Sequence, residues 1–168
     1  MNTLPLYDVE YILLEPIPDS LWQDEPLLIG LQLRNTGLTP WLTSGYPVLV
    51  VIRWFDRQGN MVIELPWRSL PHPVPANEST TIELRIDQTP PPGEYELTIE
   101  LVEHQVAWFR DKGVQPFSRP VRIKPPQGPR ITVINGNCVA NDAVGKHVAA
   151  QIRALAEAGF RPLLLTEF

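Results

Sequence analysis

The chain has 168 residues, of which 43% are hydrophobic and 20% charged, and a net charge of −5. That length holds one domain, or one domain with part of another, and the composition suits a soluble protein with a packed core. The acidic balance leaves no basic footprint for nucleic acid, and the single cysteine, Cys138, excludes a disulfide framework and a cysteine-based metal site.

The first eight residues lack the positive and apolar regions of a signal peptide. The longest apolar run, Val48 to Ile52, is far too short to span a bilayer. A cytoplasmic protein without a transmembrane segment is therefore expected, and a lone cysteine suits a reducing compartment.

From the start to about Lys124 the chain repeats one grammar, an alternating apolar run followed by a Pro, Gly, Asn or Asp break. Tyr7 to Leu14 is a candidate first strand. Leu27, Ile29, Leu31 and Leu33 alternate with more polar neighbours until Asn35-Thr36-Gly37. Val48 to Phe55 is apolar on both faces, as a central strand of a sandwich would be, with Trp54 as a core residue. Asp56 to Asn60 supplies turn chemistry, and Met61 to Leu65 returns as the hairpin partner. Ile82, Leu84 and Ile86 point one way, with Glu83 and Arg85 the other way. After the rigid turn Pro90-Pro91-Pro92-Gly93, Tyr95, Leu97, Ile99 and Leu101 share a face. Val106 to Phe109 and Val121 to Ile123 close the series. Seven or eight short strands separated by turn signals predict a mainly β fold, an immunoglobulin-like antiparallel β-sandwich over residues 1–124 with no long helix.

Eighteen of the 19 prolines lie at or before Pro129, and Pro125-Pro126-Gln127-Gly128-Pro129 reads as a short, stiff linker. Residues 130–168 then change texture. Ile131 to Ile134 is a compact apolar strand, and Asn135 to Asn141 a polar small-residue loop. Asp142 is placed to cap a helix whose Val144, Val148, Ile152, Leu155 and Ala156 share one face. Gly159 stops that helix, and Leu163 to Leu165 is the next strand. This predicts a partial Rossmann-like βαβ unit, the opening of a domain whose remainder lies beyond Phe168.

In open α/β sheets, ligands gather where strand ends meet helix starts, and unpaired N–H groups there favour an anion. Gly136, Asn137, Asp142 and Gly145 are thus candidate wall residues of a ligand cleft. Gly136 and Gly145 would let backbone approach a phosphate or sugar, or would simply shape a turn and pack the helix. The stretches Ile131-Thr132-Val133-Ile134-Asn135-Gly136, Asp142 to Val148, Leu155 to Phe160 and Leu163 to Glu167 resemble the start of a GT-B glycosyltransferase. More narrowly they resemble the family 4 type, which uses nucleotide-sugar donors. The resemblance covers about forty residues. It implies that Gly136, Asn137, Asp142 and Gly145 border the interdomain cleft. It also implies that the donor-holding glutamates lie in a second domain past Phe168, so no catalytic residue and no cofactor is assigned to this chain. The compact glycine pair of that family's first loop is replaced here by the more widely spaced Gly136 and Gly145.

The front part resembles bacterial immunoglobulin-like accessory domains of polysaccharide-synthesis enzymes. The resemblance rests on Leu33-Arg34-Asn35-Thr36-Gly37, Trp41, Gly45, Arg53 to Gly59 and Pro92 to Leu97, with Tyr95 similar to a tyrosine-corner residue. Trp41, Tyr46, Trp67 and Trp108 are candidates for stacking on sugar, against the plainer role of packing within the sandwich or at a domain contact. His72, His104 and His147 lack zinc-ligand spacing, and no serine sits in a nucleophile elbow. The expected role is a non-catalytic accessory segment of a glycosyltransferase that makes polysaccharide or glycoconjugate, with glycan or nucleotide-sugar as partner of the parent protein. The alternative is a stand-alone carbohydrate-binding or protein-interaction sandwich, with self-association through the βαβ tail.

Overall fold

Alternating apolar residues broken by proline and glycine fold, among the described residues, into twelve strands and a single α-helix. The structure is a computed structural model that describes residues 5–126, 128, 130–135, 143–158 and 160–166. The chain divides into two units, Met1–Lys124 and Pro125–Phe168.

The first unit contains β1 (Val9–Leu13), β2 (Ser20–Trp22), β3 (Leu27–Asn35), β4 (Val48–Phe55), β5 (Met61–Glu64), β6 (Arg68–Ser69), β7 (Ser79–Ile86), β8 (Gly93–Glu103), β9 (Ala107–Trp108) and β10 (Phe117–Lys124). One sheet has the order β1-β3-β7 and the other β2-β10-β8-β4-β5, with β6 paired to β4 and β9 to β8. All of these pairings are antiparallel except that of β2 with β10. The mainly β, immunoglobulin-like sandwich expected from the alternation is therefore what the chain forms.

The strand reading holds best where the alternation is longest. Leu27, Ile29, Leu31 and Leu33 of β3 are buried, as are Leu84 and Ile86 of β7 across from them. From the other sheet Val48, Val50, Ile52 and Trp54 of β4 meet Leu97, Ile99 and Leu101 of β8 in the same core. Each fully buried aliphatic side chain of this kind contributes about 1.5–3 kcal/mol. Between β4 and β5 the Asp56 carboxylate accepts hydrogen bonds from the backbone of Gln58 and Asn60 and from the Asn60 amide, at 2.8–3.0 Å. The Asn60 side chain, then its backbone N–H, hold the Asp56 carboxyl below its usual pKa. Gly59 takes the left-handed φ of +81° that closes the turn.

Three features depart from the reading by alternation. Residues 14–19 carry the chain from one sheet to the other. Pro16 and Pro18 remove ladder donors there while Ile17 is buried between them, and the short β2 follows. The expected strand from Val106 to Phe109 shrinks to the two residues of β9, because Phe109 opens a 3-10 turn that runs to Lys112. The last strand of the sandwich begins at Phe117, not Val121. Pro120 is tolerated in it because β2 covers only Arg122 to Lys124. The Tyr95 ring folds back over Gly93 and packs edge-on against Trp54, centroids 6.5 Å apart.

In the second unit, β11 (Arg130–Asn135) and β12 (Arg161–Thr166) pair in parallel, joined through α1 (Ala143–Glu157), which packs against β12. Val148 is buried and Ile152 and Leu155 half-buried, whereas Lys146, Gln151, Arg153 and Glu157 are exposed, as the helical spacing requires. Among the described residues no helix is long and apolar enough to cross a membrane.

Candidate functional site

Because Leu97, Ile99 and Leu101 face the core, Thr98, Glu100 and Val102 of β8 face outward, and so does Arg53 of β4, between Ile52 and Trp54. The register places Arg53 opposite Thr98 and Val51 opposite Glu100, so Arg53 and Glu100 are diagonal neighbours. Both side chains are almost fully buried, at 7% and 4% exposure. A charge in such a place needs partners. Arg53 Nη1 donates to Glu100 Oε1, its Nε donates to Glu64 Oε2 at 2.7 Å, and Arg110 Nη1 donates to the same Glu100 oxygen at 3.4 Å.

This network orients two indoles. Glu64 Oε1 accepts from Trp67 Nε1 at 3.0 Å. The guanidinium carbons of Arg53 and Arg110 lie 4.3 and 4.9 Å from the centre of the Trp108 ring. Trp67 and Trp108 meet edge to face, 5.5 Å between centroids and 81° between planes. His104 lies edge-on to Trp67 at 6.0 Å. Trp108 is held from behind as well. Its neighbour Phe109 is plugged into the core against Tyr7 and Trp41, at 5.2 and 6.0 Å. Gly113, at φ +90°, ends the 3-10 turn and donates to the Arg110 carbonyl at 3.0 Å. Alongside the indoles is a cleft of about 230 Å³, floored by Val102 and rimmed by Glu103, Gln105 and Asp111.

The electrostatics follow from burial. Desolvation pushes the Glu100 carboxyl above its ordinary value of 4.5, and the Arg110 and Arg53 charges offset this only in part. Burial alone would also raise Glu64, but hydrogen bonds from Arg53 and Trp67 outweigh it and hold that carboxyl low. A raised carboxylate binds its proton more tightly in the folded than in the unfolded chain. Its contribution to stability therefore falls as the pH rises above 4.5 and is recovered on acidification. In urea unfolding, the advantage of wild type over Glu100→Gln is expected to grow as the pH is lowered from about 7 to about 4.5. An advantage that shrinks over that window would contradict this account.

Of the residues singled out in the sequence, Trp67 and Trp108 are brought together, the first 37% exposed and the second half-buried. Tyr46 is 56% exposed on the β3–β4 loop, next to Pro47, whose carbonyl accepts from the His104 N–H at 2.9 Å. Trp41 is a correction. It is 1% exposed, bridged to Val74 and packed on Phe109, so it has no face to offer a sugar. Gly136, Asn137 and Asp142, like Cys138 and Gly159, lie outside the described residues, while Gly145 falls in the first turn of α1. Sequence reasoning missed Arg53, Glu64, Glu100 and Arg110. The available signal was a lone arginine inside the apolar run Val48 to Phe55 and a lone glutamate inside Leu97 to Val102. Among the described residues no three His, Cys, Asp or Glu side chains are grouped to hold a metal.

No family model and no curated protein matches the chain. Solved structures similar to it include a β-glucosidase from Listeria innocua, at 11% identity and TM-score 0.45, matched over 68% of this chain and 16% of that one. The CARDB domain of the PF1109 protein from Pyrococcus furiosus, in complex with di-metal ions, is similar at 13% identity and TM-score 0.43, over 73% of this chain and 96% of that one. Pseudomonas fluorescens alkylpurine DNA glycosylase AlkC, bound to DNA, is similar at 11% identity and TM-score 0.44, over 71% and 31%. The chain thus spans under a fifth of the β-glucosidase and about a third of the glycosylase.

Proposed function

We propose that the sandwich is a non-catalytic module that holds glycan for a cytoplasmic, nucleotide-sugar-dependent glycosyltransferase of polysaccharide or glycoconjugate synthesis. The unit of β11, α1 and β12 is then the opening of its GT-B domain, with Gly136, Asn137, Asp142 and Gly145 toward the cleft. The transferase part rests on the sequence resemblance of residues 131–167. The glycan part is carried by one observation, the Trp67–Trp108 pair beside an open cleft.

Indole faces accept the apolar C–H faces of sugars, and their polar edge takes a hydrogen bond. Here Glu64 and Arg53 fix both rings before any ligand arrives, so little side-chain freedom is lost on binding. Glu103, Gln105 and Asp111 supply acceptors and donors for hydroxyl groups.

The test is a titration of the chain with a panel of oligosaccharides, followed by tryptophan fluorescence and saturation-transfer NMR. Binding is expected, and Trp67→Ala is expected to weaken it about tenfold or more, roughly 1.4 kcal/mol. The fold should survive, because Trp67 lies outside the buried core. Absence of saturation transfer from every sugar would overturn the glycan reading. Turnover of a nucleotide-sugar by the chain alone would overturn the non-catalytic one.

A further inference from the structure

Resting on that glycan reading, we infer that the sugar recognised at Trp67–Trp108 carries no carboxylate, phosphate or sulfate group. The charged side chains that line the cleft are Glu103 and Asp111, both acidic. Glu103 accepts the Tyr7 hydroxyl on Oε2 at 2.5 Å, which leaves Oε1 free of that bond to accept from a sugar hydroxyl. Asp111 is 63% exposed, and Arg110 Nε is 3.8 Å from its Oδ1.

The arginines nearby are already committed. Arg53 is buried and taken up by Glu64 and Glu100. Arg110 is divided between Glu100, Asp111 and the Trp108 ring. The Lys112 ammonium lies 5.9 Å over the Tyr7 ring. An anionic sugar on the indoles would meet two carboxylates with no uncommitted arginine to answer it, and like charges at that range repel. A neutral sugar presents hydroxyl donors to the same carboxylates, which makes charge-assisted hydrogen bonds. The cleft therefore selects by charge, through repulsion as much as attraction.

The experiment titrates the full chain, by tryptophan fluorescence at low salt, with length-matched neutral cello-, malto- and xylo-oligosaccharides, with oligogalacturonates and with sulfated oligosaccharides. A neutral ligand is expected to bind, with the anionic sets about tenfold weaker or worse. The double variant Glu103→Gln, Asp111→Asn is expected to raise the ratio of uronate to neutral affinity by about tenfold. Uronates or sulfated sugars that bind as tightly as neutral ones would overturn the charge inference while leaving the glycan reading in place. So would a double variant whose ratio does not change. No binding in any of the three sets would overturn both.

Discussion

Replacing Arg53 by methionine is expected to lower the unfolding free energy of the sandwich by about 3–5 kcal/mol. Methionine keeps the length of the arginine stem and so spares the packing that the stem provides. What is lost is the closer and buried partner of Glu100, a carboxylate only 4% exposed that keeps just the Arg110 contact at 3.4 Å, and one of the two hydrogen bonds that hold Glu64. An uncompensated buried charge is costly, whereas replacing both members of a buried pair by apolar residues is often neutral or better. The double variant Arg53→Met, Glu100→Leu is accordingly expected to recover at least half of the loss. Urea denaturation of the wild type and both variants checks this. A single variant that loses less than about 1 kcal/mol, in the range of an exposed pair, would show that the network adds little.

The second large effect is expected at Asn35, a fully buried residue at the end of β3. Its Nδ2 donates to the carbonyls of Thr39 and Val74, at 2.9 and 3.1 Å, and its Oδ1 accepts the Gly37 N–H at 3.1 Å. Its backbone bonds Glu78 and Asn77 as well. One side chain thus fastens the β3–β4 loop to the segment before β7. The loop is tight at that point, since a Cβ on Gly37 would stand 2.7 Å from the backbone of Leu6 and Asp8. Asn35→Ala takes this partner from the Gly37 N–H and the Thr39 carbonyl, at about 1–3 kcal/mol each, while the Val74 carbonyl keeps the Trp41 N–H, so a loss of about 2 kcal/mol or more is expected in thermal or urea unfolding. Asn35→Asp should be no better than alanine, because a carboxylate cannot donate to the two carbonyls. An aspartate variant as stable as wild type would rule out the amide as the fastener.

The contrast between Trp54 and Trp41 shows how far the fold was legible in the sequence. Trp54 lies in an apolar run that reads as a central strand covered on both faces, and it is fully buried as expected. Trp41 stands between Pro40 and Leu42 with no period to read, so its burial depends on Phe109, nearly seventy residues away. Asn35 was legible as a turn residue, but its bond to Val74 is set by tertiary structure. The same holds for β2, whose three residues are too few to alternate and whose place is decided by β10. At the candidate site Trp67 and Trp108 were legible as aromatics. The charges that orient them were not, because isolated arginines and glutamates usually read as solvated and only the outward face of a covered sheet makes them structural.

The parallel contact of β2 with β10 bears on how the sandwich meets force. Arg122, Ile123 and Lys124 run alongside Ser20, Leu21 and Trp22, and the Lys124 ammonium lies 4.4 Å over the Trp22 ring. Tension between the chain entering β2 and the chain leaving β10 pulls these two strands lengthwise in opposite directions. The bonds of the ladder, with the flanking Arg122 N–H to Asp19 and Gln23 N–H to Lys124, are then loaded together in shear. An antiparallel pair pulled from its open ends would peel one bond at a time. A tether that enters and leaves in this way holds its load as a clasp rather than a zip.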